Sequence, residues 1–285
     1  MYVITSKESL QLGRAAGVKS LKPFPLVACR LLELVNDQTA HFRKVSQVLI
    51  ADAAFSAQVL RVANSALLGV RFEITSILQA ISAVGVDRLR ALVVTVALNN
   101  YMSHDEDIYL RRCWRHNLAT ALWAEILAEY CNIERSLGYT AGMLHDIGRT
   151  ALLMLFYKDF GTLMDDVATG DGVRLEAERR ICDVDHCQIG GYLSDSWNFP
   201  QILGDVIAHH HDAVTPDAPR LRLLVQAACT AASMSGFRTT GLVRDWDPSR
   251  ITDLLPPRSA GLLPRCDGLL EKVTLRFNET EGSLL

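Results

Sequence analysis

An all-α fold is what this chain predicts, and three observations predict it. No proline occurs between Pro25 and Pro200, the residues between them are rich in Ala, Leu and Val, and the apolar positions recur at helical spacing. Proline costs about 3 kcal/mol in a helix interior, because it lacks an N–H and its ring meets the preceding turn, so a stretch this long without one reads as helical body. Seven of the nine prolines lie from Pro200 onward.

The elements come in order along the chain. Val45, Val48, Leu49, Phe55, Val59, Leu60 and Val62 keep to one face of a long helix, which Asn64-Ser65 and then Gly69 bring to an end. Thr75 or Ser76 can cap the next helix, ITSILQAISAVG, which stops at Gly85, and Asp87 can cap DRLRALVVTVALNNY. Two short helices joined at Gly85 have a helix-turn-helix outline, but such pairs are far more often packing units than DNA readers. Further helices are expected at about 110–131, 138–157, 173–182, 184–197 and 201–211, with Asp183 capping the fourth of these and Pro200 in the first turn of the fifth. After Asp212 one Ala-rich helix, LRLLVQAACTAASMS, precedes a tail of DPSR, LLPPRS and LLPRCDG that reads as irregular structure.

Composition narrows the class of protein. With 49% hydrophobic and 21% charged residues, the 285-residue chain is neither disordered, collagen-like nor a small disulfide scaffold, and it is long enough to bury a sizeable core. Its 29 Lys+Arg against 32 Asp+Glu leave a net charge of −3, which offers no basic surplus for a nucleic-acid backbone. Seven scattered cysteines without a Cys-x-x-Cys pair fit a reducing compartment. The start, MYVITSKESLQLGR, has no basic segment followed by an apolar one, and ALVVTVAL at 91–98 falls far short of a bilayer span, so a cytoplasmic protein outside the membrane is expected.

Chemistry points to histidine. Six of the eight histidines, His116, His145, His186, His209, His210 and His211, fall in or beside predicted helices, and Asp146 directly follows His145. Imidazoles plus a carboxylate, delivered from several helices into one cleft, are the usual parts of a Zn, Mn or Fe site. A single histidine on an apolar face is more often a core residue, and no His-Glu-x-x-His spacing fixes a metal here. Trp114, Trp123 and Trp197 lie beside apolar neighbours and read as core.

The stretch AGMLHDIGRTALL, with WRHNLATA before it and HCQIGGYLSDSWNFPQILGDVIAHHHD after it, resembles the HD superfamily of helical metal-dependent phosphohydrolases. LKPFPLVACRLLELVND, VSQVLIADAAFSAQVLRVANSALLG and ITSILQAISAVGVDRLRALVV narrow the resemblance to the HDOD family, the HD-related output domain of bacterial signalling proteins. It runs from about Leu21 to about Asp212 in unbroken order. The resemblance implies an extension at 1–20 and an HDOD domain at 21–212, with an N-terminal helical lobe (21–103) packed on an HD-like lobe (104–212). A C-terminal helix and irregular tail at 213–285 would complete the chain. It further implies a response-regulator-type output module with signalling partners such as receiver, kinase or cyclic-dinucleotide enzymes. The first twenty residues are too few to hold a receiver domain.

By the same resemblance, His116, His145 and Asp146 match three ligands of a divalent metal. The late aspartate falls where this chain reads Ala228-Cys229. A Cys229 thiolate would suit zinc, whereas a buried neutral Cys would be a small hydrophobe filling a lost site, and the Ala-rich surroundings favour the second reading. His186, His209 and His210 match the histidines that hold a second ion in two-metal relatives, in which Asp146 would bridge the pair. Arg149 could contact a phosphate, although taken alone it reads as a solvated helix charge. The Gly-Tyr-Pro signature of cyclic di-GMP phosphodiesterases does not follow HDIGR. Family members usually carry Asp-Pro where this chain has Asp52-Ala53, which removes the proline expected to break the helix there.

Two functions therefore stand side by side. One is a non-catalytic signalling module that acts through protein interaction. The other is a metal-dependent phosphohydrolase acting on a nucleotide or another phosphorylated small molecule, with Asp146 and Arg149 as its candidate catalytic residues. The substituted aspartate and the missing signature favour the first.

Overall fold

The computed structural model describes residues 17–34, 42–64, 73–102, 107–165, 171–240, 245–255 and 266–284. Among these residues every regular element is helical. After a 3-10 turn at Val18–Ser20 come α1 (Leu26–Glu33), α2 (Phe42–Ile50), α3 (Ala53–Ala63), α4 (Ile77–Val84) and α5 (Val86–Met102). Next are α6 (Ile108–Cys131), α7 (Arg135–Leu144), α8 (Ile147–Leu155), α9 (Tyr157–Asp165) and α10 (Asp171–Cys182). The chain is completed by α11 (His186–Ser196), α12 (Gln201–His209), α13 (Arg220–Met234), α14 (Ser249–Thr252) and α15 (Cys266–Leu284). No single helix is long and apolar enough to cross a membrane among the described residues.

The expected long helix through residues 45–62 is two helices meeting at 113°. Asp52 makes the break without a proline. Its side chain accepts from Phe55 N at 3.0 Å and so caps α3, while Ser56 Oγ donates to the Leu49 carbonyl that α2 leaves behind, at 2.7 Å. Asn64 ends α3 as expected and also anchors the chain ahead of α4, because its amide pairs with both the N–H and the carbonyl of Ile74 at 2.7 Å. Ser65 and Gly69, the other stop signals, lie outside the described residues. Ser76 caps α4 through Gln79 N, and Gly85 takes φ +85°, which a side chain would oppose. Because α5 already starts at Val86, Asp87 sits inside its first turn and pairs with Arg90 instead of capping the helix.

The predicted helix at 138–157 also divides, and the division falls on the His145-Asp146 pair. Asp146 leaves helical geometry at φ −107°, ψ 22°, a sparsely occupied region common at functional sites. Asp185, not Asp183, caps α11, through a capping box with Gln188; Asp183 takes φ +63° and turns the chain ahead of it. Pro200 precedes α12 as its N-cap residue, one position earlier than expected.

A single apolar cluster runs from Val18 to Phe277. The central helix α6 is buried along most of its length and packs on α5, α7, α8, α13 and α15. Phe24 stacks on Trp197 at 5.4 Å and meets Tyr101 at 5.8 Å, which ties the N-terminal helices to the end of α11. Trp114 and Trp123 are buried, as core residues should be. The tail departs from expectation. Residues 266–284 form a 19-residue helix on α6, with Phe277 fully buried against Phe237 at 4.2 Å.

Candidate functional site

Two close helix approaches build the site. A Cβ on Gly142 would stand 2.9 Å from Thr120 O and Ala121 Cα, so only glycine lets α7 lie this near α6 and bring the His145 ring to 5.4 Å from the His116 ring. At Gly148 a Cβ would stand 1.9 Å from His186 O, so glycine is again required where α8 meets the start of α11.

The site histidines are oriented by backbone carbonyls. His116 Nδ1 donates to Phe237 O at 2.6 Å, His145 Nδ1 to Gly142 O at 2.7 Å and His210 Nδ1 to Ile207 O at 3.0 Å. Each bond places the proton on Nδ1 and leaves the Nε2 lone pair for the cleft, the usual arrangement behind a metal-binding imidazole. Burial pushes the pKa of His116 down, and burial together with the neighbouring His210 holds His145 well below its usual value, so both are neutral and able to donate electron pairs.

Cys229, on α13, directs Sγ to within 3.4 Å of His116 Nε2 and is partly exposed at the cleft. The full burial expected of a space-filling cysteine is not found at this position. His116, His145 and Cys229 place their ligand atoms within 4.8 Å of one another, and His186, His210 and His211 do the same beside them.

The three consecutive histidines diverge because α12 ends among them. His209, the last helical residue, faces outward and pairs with the exposed Asp212 at 3.0 Å, so it does not join the cleft. His210 turns inward, and His211 beyond the helix end packs at 4.3 Å from it. The position expected of His209 is therefore taken by His211, because the chain leaves its helical path at that point.

Arg149 is not a solvated charge. It is buried, and its Nε donates to Asp146 Oδ2 at 2.6 Å, its Nη1 to Glu178 Oε1 at 3.1 Å and its Nη2 to His186 Nε2 at 3.2 Å. Glu178 Oε2 accepts in turn from His186 N at 2.9 Å and from His186 Nδ1 at 2.6 Å. Burial opposes ionisation of both carboxyls. Arg149, and for Glu178 chiefly His186, nevertheless hold them below their ordinary range.

Between His186 Nε2 and His210 Nε2 the gap is 3.3 Å, with Asp146 Oδ1 at 3.4 and 3.9 Å from the two. Two lone pairs this close need a positive charge near them, which the Arg149 guanidinium, a proton or a metal ion can supply. Two buried polar atoms at the centre, Asp146 Oδ1 and His145 Nε2, have no hydrogen-bond partner. Orphaned acceptors of this kind beside a thiol and further imidazoles fit a divalent ion. Arg174, Arg238, Thr230, Ser233, Thr239 and Thr240 line the rest of the cleft.

Sequence reasoning did not reach Glu178, Arg174 or the Phe237 carbonyl, and it counted His211 among the candidate histidines without matching it to a ligand position. Glu178 sits in the charged run EAERR of α10, which has no apolar stripe to mark its buried face. The Phe237 contribution is made by backbone, which no side-chain pattern announces.

The chain matches the model of the HDOD domain over residues 21–213. A relative of uncharacterised role from Treponema pallidum (strain Nichols) is 23% identical over 209 residues, which are 68% of this chain but only 38% of that protein. Among solved structures, an HDOD domain protein of unknown function from Geobacter sulfurreducens is 24% identical, with a TM-score of 0.78 over 97% of this chain and 99% of the other. A provisionally named phosphohydrolase from Shewanella amazonensis SB2B is 24% identical, with a TM-score of 0.70 over 97% and 98%. A provisionally named signal transduction protein from Marinobacter aquaeolei VT8 is 18% identical, with a TM-score of 0.72 over 98% of this chain and 64% of that one. With the family match spanning most of its length and the HD-type histidine cleft in place, this chain belongs to the HDOD domain family.

Proposed function

We propose that this chain is a regulatory module of signal transduction whose histidine cleft holds a divalent metal ion and does not turn over a substrate. The size of the cleft carries the reading. Its open volume is about 50 Å³, whereas pockets for small organic ligands run from about 300 Å³ upward and one water occupies about 30 Å³. A space of this size suits an ion with a water better than a nucleotide.

The segment after α13 contributes to the cleft, since the Phe237 carbonyl binds His116 and residues 238–240 line the space. A bound ion would draw on the Nε2 atoms of His116 and His145, on Asp146 Oδ1 and on the Cys229 thiolate. It would fasten α6, α7 and α13 together, and so couple the order of the cleft to surfaces that meet signalling partners. The soft sulfur favours zinc over manganese or iron.

A second reading is that of an HD-type phosphohydrolase. Arg174, Arg238, Thr230 and Thr239 at the cleft favour it, because guanidinium and hydroxyl groups suit a phosphoryl ligand. Hydrolysis assays on zinc- and manganese-loaded protein separate the two, with p-nitrophenyl phosphate, bis(p-nitrophenyl) phosphate, nucleotides and cyclic dinucleotides as substrates. The regulatory reading expects no turnover above the free-metal blank. Turnover abolished by Asp146→Asn would replace it with the enzymatic one.

A further inference from the structure

A two-ion centre needs its bridging carboxylate to give one oxygen to each ion. In this chain Oδ2 is already bonded to Arg149 Nε at 2.6 Å, and Oδ1 is the oxygen left without a hydrogen-bond partner. Glu178, the other buried carboxylate, is committed at both oxygens, Oε1 to Arg149 and Oε2 to His186. The second histidine group, His186, His210 and His211, therefore faces no uncommitted carboxylate beyond that one oxygen. The Arg149 guanidinium already stands 3.2 Å from His186 Nε2. It brings a positive charge to two of the acceptors that a second ion would draw on, Asp146 and His186, and its planar fork satisfies three acceptors at once.

We propose that the Arg149 guanidinium is a resident cation in the second ion position, so that the centre takes one metal ion, at the His116, His145 and Cys229 group beside Asp146. The inference rests on the metal-holding reading above and deepens it. Arg149 acts as a positioning residue. It holds Asp146 in place through Oδ2, and by like charge it keeps a second divalent ion out of the His186, His210 and His211 group.

The test is a stoichiometric titration of chelator-treated protein, shown by circular dichroism to be folded, with Zn²⁺. Bound metal is counted by equilibrium dialysis and elemental analysis. Wild type is expected to bind one equivalent, Arg149→Lys one, and Arg149→Ala two. Should Arg149→Ala fail to fold, two variants in the wild-type background decide: His145→Ala is expected to lose the ion, and His186→Gln to keep it. Two equivalents in wild type would overturn this inference alone, as would one equivalent in folded Arg149→Ala, or loss of the ion in His186→Gln but not in His145→Ala. No bound metal in wild type would overturn it together with the reading on which it rests.

Discussion

Arg149 reaches back across the break between α7 and α8 to bond Asp146 at 2.6 Å, and it bonds Glu178 of α10 at 3.1 Å with the same guanidinium. Removing one partner of a buried ion pair leaves an uncompensated charge and costs about 3–5 kcal/mol, more than the pair's net worth. Arg149→Ala in chelator is expected to lose stability of that order in urea denaturation. Zn²⁺ is expected to restore part of it, since an ion held by the assembled cleft would favour the folded state.

Acid should weaken the same network, with a sign that can be worked out. Burial opposes ionisation of Glu178, but His186 and Arg149 outweigh it and hold its pKa below the ordinary 4.5. A depressed acid binds its proton more weakly in the folded protein than in the unfolded one. Its contribution is therefore full above about 4.5 and drains away as pH falls through the lowered value. The stability gap between wild type and Glu178→Gln should be widest at neutral pH and narrow below about 4.5 in thermal melts. A gap constant down to pH 3 would mean that Glu178 is not held in this way.

Gly148 sets the distance between α8 and α11. With His186 O 1.9 Å from the position of an added Cβ, Gly148→Ala must move backbone and should cost more than about 4 kcal/mol. Gly268, with nothing within 4 Å of its own Cβ position in α15, is the control; there alanine should be neutral or stabilising by up to about 1 kcal/mol. Chemical denaturation of the two variants checks the contrast.

In the proposed centre, Cys229 is the ligand that favours zinc. Cys229→Asp replaces soft sulfur with hard oxygen 3.4 Å from His116 Nε2. Zn²⁺ affinity should fall at least tenfold relative to Mn²⁺, measured by competition against a chromophoric chelator.

Much of this arrangement could be read from residues alone. His116, His145, Asp146, His186 and His210 lie close together, His116 and His186 from within helices and His145, Asp146 and His210 from the points where helices end. Where helices end, periodicity stops being a guide. His209 and His211 exchange roles at the end of α12, and the break at Asp52 is made by a capping carboxylate where a proline was the expected signal. Glu178 and Arg149 look like surface charges in sequence, since only the fold shows that each compensates the other. The helix at 266–284 is hidden by its flanks, where prolines and glycines make the whole tail look irregular.

The central claim is that the cleft holds a divalent ion through the HD pair, and elemental analysis of protein purified without a metal-affinity tag tests it most directly. One equivalent of a divalent metal, zinc foremost, in wild type and a loss of at least tenfold in folded His145→Ala is the predicted result. Metal-free wild type, or a metal content unchanged by His145→Ala, would contradict it.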